Sequence, residues 1–286
     1  MKKLLLTVAT LAAFGTPGFA ADMALNKAPP PIPSWTGFYL GVGAGERAST
    51  VDGSVNSAVN TSLGALPSLN LLTGPGGSCV APNAPCVGES LNGTAFRFSP
   101  YAGYNFQIGS RWVVGVEGDG GFADKTTTLG GLIYPGGGSP FFITGRGDDS
   151  FSVKTSWDAS IRGRLGFLAS STLLVYGTGG AAWQRVVATS TCGVLSACTG
   201  PGAFAPATFT DSTTKSGYTV GAGLEAMVSD HWLVRAEYRY SGFGTINNSD
   251  VRTCVACAGG VGIAQTVNYS LKMTTQTATF GLAYKF

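Results

Sequence analysis

The chain has 286 residues, of which 44% are hydrophobic and only 12% charged, with 43 glycines and a formal net charge of +3. Beyond the N-terminus no stretch approaches the ~18 consecutive apolar residues that a membrane-spanning helix needs, which excludes a helical anchor. With Lys2 and Lys3 set aside the charge is close to balanced, which argues against a nucleic-acid partner.

In chain order, Lys2 and Lys3 form a charged start, Leu4 to Phe14 an apolar run, and Gly18-Phe19-Ala20 a small-residue cleavage site. This pattern predicts a signal peptide over 1–20, too short to cross a bilayer as a helix. Residues 21–34 carry four prolines in five positions, which favour an extended, unpaired segment. They read as a periplasmic lead-in to a domain over 35–286.

From Trp35 onward the chain alternates with period 2, the signature of strands with one apolar and one polar face. The first strand, 35–47, sets Phe38, Leu40, Val42 and Ala44 against Tyr39, Gly41, Gly43 and Gly45. The second, 94–107, sets Phe96, Phe98, Ala102, Tyr104 and Phe106 against Arg97, Ser99, Tyr101, Gly103 and Asn105. In the third, 112–124, Val114, Val116 and Phe122 oppose Glu117 and Asp119. The fourth, 150–168, places Val153, Trp157, Ala159, Ile161, Leu165 and Phe167 opposite Lys154, Asp158, Ser160, Arg162 and Arg164. The fifth, 173–187, is apolar or small on both faces, and its orientation stays open. The sixth, 213–228, sets Tyr218, Val220, Ala222, Leu224 and Val228 against Thr219, Gly221, Gly223 and Glu225. In the seventh, 232–240, Val234, Tyr238 and Tyr240 oppose Arg235, Glu237 and Arg239.

The eighth strand begins near Gln265 and ends at Phe286. Ala278, Phe280, Leu282, Tyr284 and Phe286 lie on one face, with Thr275, Thr277, Thr279, Gly281, Ala283 and Lys285 on the other. A soluble sandwich strand can alternate in the same way. A strand that ends on an aromatic leaves an edge to be paired, and closing a barrel onto the first strand pairs it.

Short connections at 108–111, 169–172 and 229–231 alternate with long ones at about 48–93, 126–149, 188–212 and 242–264. Short turns at one end and long loops at the other predict an all-β, eight-stranded antiparallel up-and-down transmembrane β-barrel, with both termini on the short-turn side. Trp35, Trp112, Trp232, Tyr104, Phe106, Tyr284 and Phe286 fall at that end and form a candidate aromatic girdle. Ordinary core packing is the plainer alternative for these aromatics.

Several stretches resemble a known family. Residues 31–45, Pro-Ile-Pro-Ser-Trp-Thr-Gly-Phe-Tyr-Leu-Gly-Val-Gly-Ala-Gly, look like the first strand of the alpha-proteobacterial porin-like, immunogenic outer-membrane proteins, within the wider OmpA-like group of eight-stranded barrels. Gly-Arg-Leu-Gly-Phe (163–167), Tyr-Gly-Thr-Gly-Gly-Ala-Ala-Trp (176–183), Arg-Ala-Glu-Tyr-Arg-Tyr (235–240) and the terminal strand are similar to the same family. The resemblance covers 35–286 apart from the long loops. It implies the bacterial outer membrane, with its lipid and the barrel-assembly machinery as partners. It implies no single shared activity. Phe280, Leu282, Tyr284 and Phe286 resemble the C-terminal signature by which such barrels are recognised for assembly.

With the apolar faces outward, the lumen receives Arg97, Glu117, Asp119, Lys154, Asp158, Arg162, Arg164, Glu225, Arg235, Glu237, Arg239 and Lys285. Unpaired charges in a narrow barrel are costly, so these mixed signs point to a bridged network filling the lumen. A pore lining or proton path is the functional alternative. A soluble lipocalin-like barrel would invert the two faces. The glycines that alternate along the strands leave room for wide side chains from neighbouring strands.

Six cysteines fall in the expected loops: Cys79 and Cys86, Cys192 and Cys198, Cys254 and Cys257. In an exported chain they read as loop-local disulfides, because the members of each pair are close in sequence. Cys254-Val-Ala-Cys257 has no second half-site, so it is not read as a metal or redox site. The lone His231 lies in a short turn without an evident nucleophile, and no phosphate-binding glycine loop is present. The expectation is a non-catalytic envelope barrel without cofactor or metal. A small-solute pore and loop-mediated binding of a surface ligand or host factor are the alternatives.

Overall fold

The computed structural model describes residues 34–62, 69–70, 89–130, 150–192, 207–254 and 263–286. The expected signal peptide, the lead-in up to residue 33, and Cys79, Cys86, Cys198 and Cys257 lie outside these residues.

Eight long strands form one ring: β1 (Gly37–Ser62), β2 (Glu89–Ile108), β3 (Trp112–Gly130), β4 (Ser150–Ser170), β5 (Leu173–Cys192), β6 (Ala207–Met227), β7 (Trp232–Cys254) and β8 (Ile263–Lys285). Each pairs antiparallel with its neighbour in sequence, and β8 closes onto β1 from Tyr39↔Lys285 to Ser62↔Ile263. A two-residue strand, Leu69–Asn70, extends the β2 side of β1. Closure removes the free edge that the terminal strand would otherwise present. The Phe286 amide completes it by donating to the Phe38 carbonyl at 2.9 Å. The short turns lie at 109–111, 171–172 and 228–231, as the sequence predicts, and Gly109 takes φ +63° in the first.

Alternation decides which way each side chain points. Phe38, Leu40 and Val42 on β1, Phe280 and Leu282 on β8, and Ile161 and Leu165 on β4 face outward and are exposed. Tyr39, Arg97, Glu117, Arg162 and Glu237 face inward and are buried. β5, whose orientation the sequence left open, turns its even positions inward: Leu174, Tyr176, Thr178, Ala182, Gln184 and Val186 are buried.

The outward apolar belt is bounded by aromatic residues at both ends. Trp112 and Phe167 meet edge to face with centroids 5.4 Å apart at the short-turn end, as do Trp232 and Tyr284. Phe96, Phe122 and Tyr218 mark the opposite boundary. The stretch from Trp112 to Phe122 matches the roughly 9–11 tilted residues that cross a bilayer. Trp35, expected in this girdle, is instead wholly buried inside the ring. It precedes β1, so strand alternation does not hold it outward.

The strands continue well above the upper aromatic boundary, so the expected long loops are shorter than predicted. Cys192 and Cys254, expected in loops, are the last residues of β5 and β7. Backbone pairing persists there although outward residues such as Thr50, Asp52, Ser90 and Asn92 are polar, which hid the strands from a hydropathy pattern. Among the described residues, β2 and β3 pair only from Phe98↔Phe122 downward, and β6 and β7 only from Tyr218↔Gly242 downward. Meanwhile β1 to β2, β3 to β4, β5 to β6 and β7 to β8 pair along nearly their whole length. Above the belt the barrel therefore parts into two four-stranded sheets, β7-β8-β1-β2 and β3-β4-β5-β6.

An apolar core fills the space between the two sheets. Val51, Leu91, Phe151, Val153, Ala182, Val186, Phe243, Ile246, Leu271 and Met273 cluster there. Among the described residues none comes from β3 or β6, two of the four strands that border the seams. Bulges at the level where the sheets part, 122–125 on β3, 155–158 on β4 and 242–245 on β7, shift side-chain parity. This overturns two assignments on β4. Val153 points inward, and Lys154, expected in the lumen, points outward and pairs with exposed Asp124 at 3.4 Å.

Candidate functional site

The lumen is filled in three layers. At the short-turn end Trp35, Tyr39, Tyr101, Val113, Leu168, Leu174, Tyr176, Met227, Leu233 and Ala283 form an apolar septum. Trp35 anchors it: its indole Nε1 donates to the Ser171 carbonyl at 3.0 Å, in the turn on the far side of the ring. Its backbone amide donates to Gln107 Oε1, also at 3.0 Å. The core between the two sheets forms the outer septum, with Thr275 donating to Gln184 Oε1 at 2.9 Å beneath it.

Between the septa lies the charge network. Glu117 on β3 is its centre. Its carboxylate pairs with Arg235 at 2.5 Å and Arg164 at 3.5 Å, pairs with Arg162, and accepts the Tyr39 hydroxyl at 2.8 Å. Asp119, two residues on and facing the same way, pairs with Arg97 at 2.6 Å and Arg239 at 2.8 Å, and accepts from Ser160. Glu237 takes Arg162 at 2.7 Å and the Tyr176 hydroxyl at 2.9 Å. Glu225 takes Arg164 at 3.1 Å.

Of the expected lumen residues, Arg97, Glu117, Asp119, Asp158, Arg162, Arg164, Glu225, Arg235, Glu237 and Arg239 are gathered into this network. Lys285 faces inward but stands apart at the short-turn mouth, where its Nζ donates to the Ser34 carbonyl. Lys154 lies outside the lumen, as described above.

Sequence reasoning missed Arg47 and the phenols. Arg47 has the inward parity of β1 and pairs with Asp158 at 2.7 Å. Tyr39 and Tyr176 join the lower septum to the charges, and the Arg164 guanidinium lies 4.1 Å from the Tyr176 ring centroid and 5.4 Å from that of Tyr39. Arg235 lies 3.5 Å from the Tyr101 centroid. These contacts combine charge pairing with cation–π attraction in a desolvated setting. Tyr39 and Tyr101 sat on the polar face in the sequence, Tyr176 lay on the strand whose orientation was open, and their spacing among glycines was the available signal.

Those glycines make the network fit. A Cβ on Gly103 would strike the Tyr39 phenol, and one on Gly121 the Arg97 guanidinium. On Gly223 it would lie 2.6 Å from Tyr176 Cζ, and on Gly41 2.5 Å from Tyr101 Cζ. Each wide side chain therefore occupies the space left by a glycine on another strand, as the alternation suggested.

His231 stacks on Tyr284 with centroids 5.3 Å apart, and its carbonyl accepts the Lys285 amide at 2.7 Å. It is an exposed turn residue of the short-turn rim.

The family model for the outer membrane protein beta-barrel domain matches residues 6–286. The 31 kDa outer-membrane immunogenic protein of Brucella melitensis is 30% identical over 300 residues, covering 100% of both chains. The 22 kDa outer membrane protein of Rhizobium leguminosarum is 30% identical over 156 residues, 54% of this chain and 56% of that protein. Among solved structures, the outer membrane protease OmpT of Escherichia coli is similar with a TM-score of 0.46 and 12% identity, covering 87% of this chain and 97% of that one.

Proposed function

The chain belongs to the outer membrane β-barrel family and resides in the outer membrane, and from that premise we propose that it is a sealed, non-catalytic barrel. In this reading it strengthens the envelope and carries a rigid two-sheet structure outside the membrane. The layered filling of the lumen carries the proposal: an ion crossing it would have to breach an aromatic septum, a bridged charge network and a second apolar core. A conducting pore lined by separate, hydrated charges would not bury six arginines in mutual contact with carboxylates. His231 supports the non-catalytic reading, because it lies in a periplasmic turn stacked on an aromatic ring.

The Brucella relatives are named immunogenic, and in this chain the structure above the upper aromatic boundary is where such recognition would fall. Local disulfides Cys79–Cys86, Cys192–Cys198 and Cys254–Cys257 belong to the same reading of that outer part. Reconstitution in planar bilayers tests the function: the expected trace is flat, and a steady unitary conductance from folded wild-type protein makes it a pore.

A further inference from the structure

The outer wall of β4 and β5 carries a feature that the sealed lumen does not use. Trp183 is in register with Ala159, and Trp157 with Phe122, so both indoles stand on the outward face at the upper edge of the apolar belt. Arg185 falls opposite the β4 bulge, between the partners of Thr155 and Asp158, beside Trp157. Lys154 is in register with Val187, one step further out, and its side chain is 47% exposed. From the membrane outward the order is indole, indole with guanidinium, then ammonium. Arg185 Nη2 also lies 3.4 Å from the Ser212 hydroxyl on β6.

Exposed Asp124 on β3 and Asp211 on β6 flank this pair of strands. Outward-facing Glu46 and Asp52 lie on β1, across the ring from β4 and β5. Lys154 pairs only loosely with Asp124, which is 70% exposed, and such a pair adds little and exchanges readily for a better anion.

We propose that Lys154 and Arg185, above the shelf of Trp157 and Trp183, bind the phosphate of an anionic lipid of the outer leaflet. Guanidinium presents a planar fork that suits phosphate, and ammonium adds a second point charge. Indoles at the interface suit the boundary between acyl chains and headgroup. Two exposed cations hold a free phosphate weakly in water. A phosphate carried by a lipid is delivered at high local concentration at this level of the wall, with its apolar part against the indoles.

The test uses purified, folded protein in neutral phosphatidylcholine nanodiscs, titrated with phosphorylated lipopolysaccharide and with the same lipid after phosphatase treatment. Wild type should retain the phosphorylated form. The K154A/R185A variant should bind about tenfold more weakly or worse, the loss expected when two phosphate contacts are removed. Asp124→Asn, which releases Lys154, should tighten binding, and Lys272→Ala on distant β8 should leave it unchanged. Unaltered heat-modifiable migration certifies the fold of each variant. Equal retention by wild type and the double variant overturns the site, as does equal retention of the dephosphorylated lipid. Full displacement by inorganic phosphate at concentrations matched to the lipid overturns the lipid as its occupant.

Discussion

Arg162 on β4 and Glu237 on β7 meet across the lumen with Nη1 2.7 Å from Oε1, although β5 and β6 stand between their strands in the ring. Such a contact ties opposite walls together, and no pairing of adjacent strands can do the same. Glu237 also accepts from Tyr176 and lies 3.4 Å from Arg239 Nε, so one carboxylate serves three strands.

Glu237→Ala should therefore lower stability by roughly 3–5 kcal/mol, because it strands buried guanidinium groups without a partner. Urea unfolding in detergent reads the change. In a hydrated channel the same exposed pair would contribute only about 0–1 kcal/mol, so an unmoved midpoint would favour a pore. At most rare, small conductance events should accompany the variant, since both septa remain in place.

The glycine–tyrosine fit gives a second expectation. Gly103→Ala drives a methyl group into the Tyr39 phenol and should cost about 1–3 kcal/mol, the range for overpacking a closed core. Tyr39→Ala costs stability on its own by removing the hydroxyl from Glu117. In the double variant the new methyl meets no ring, so the two losses should sum to more than the measured total. Strict additivity in this double-mutant cycle would show that the glycine is not there to make room for the ring.

Much of this was legible in the sequence, and the exceptions share a cause. Strict alternation fixed the facing of Arg97, Glu117, Glu225 and Glu237 because a strand inside one continuous ladder cannot change parity. Lys154 and Val153 were misassigned because a bulge resets parity, and a bulge leaves no mark in an alternating pattern of Thr, Ser and Lys. Arg47 was overlooked at the margin of the first predicted strand, where Ala48 and Ser49 already resembled loop. Trp35 was assigned to the girdle by its nearness to a strand end, but a residue outside the ladder is free to turn into the lumen. The parting of the two sheets was not legible at all: it depends on which neighbours stop pairing, and each strand looks the same whether its edge is paired or free.

The terminal residues separate assembly from packing. Phe286 is 67% exposed on the outer wall, with its ring 5.7 Å from that of Phe38, whereas Lys285 is turned inward. Phe286→Asp should reduce the folded, heat-modifiable fraction in the outer membrane more than Lys285→Ala does. Equal yields for the two variants would mean that the final aromatic is not read during assembly.

The cysteine pairs give an expectation independent of the barrel. Peptide mapping of the oxidised protein should recover Cys79 with Cys86, Cys192 with Cys198, and Cys254 with Cys257. A variant with all six changed to Ser should still insert, because the ring closes through backbone pairing of β1 with β8. Cross-linked peptides joining different pairs would refute the local pattern, and loss of insertion would show that closure depends on the bridges.

The seams make the last prediction, read by hydrogen exchange. In β2 residues 101–105 are paired with β1 on one side and with β3 on the other, whereas in 89–97 only the β1 side is paired among the described residues. Successive amides of a strand point to opposite edges, so every second amide of 89–97 faces the seam with no strand partner. The same holds for 125–130 of β3, bonded to β4 alone, for 243–254 of β7, bonded to β8 alone, and for 207–217 of β6, bonded to β5 alone. Seam-facing amides should exchange by local exposure, orders of magnitude faster than their immediate neighbours, whose protection follows the stability of each four-stranded sheet. β1 supplies the internal control, since it is paired on both sides from Tyr39 to Gly53 and should be protected at successive residues over that length. An alternating fast and slow pattern confined to the upper halves of β2, β3, β6 and β7 is the expected result. Uniform protection along those strands would mean that the barrel stays closed above the membrane and that the two sheets do not part.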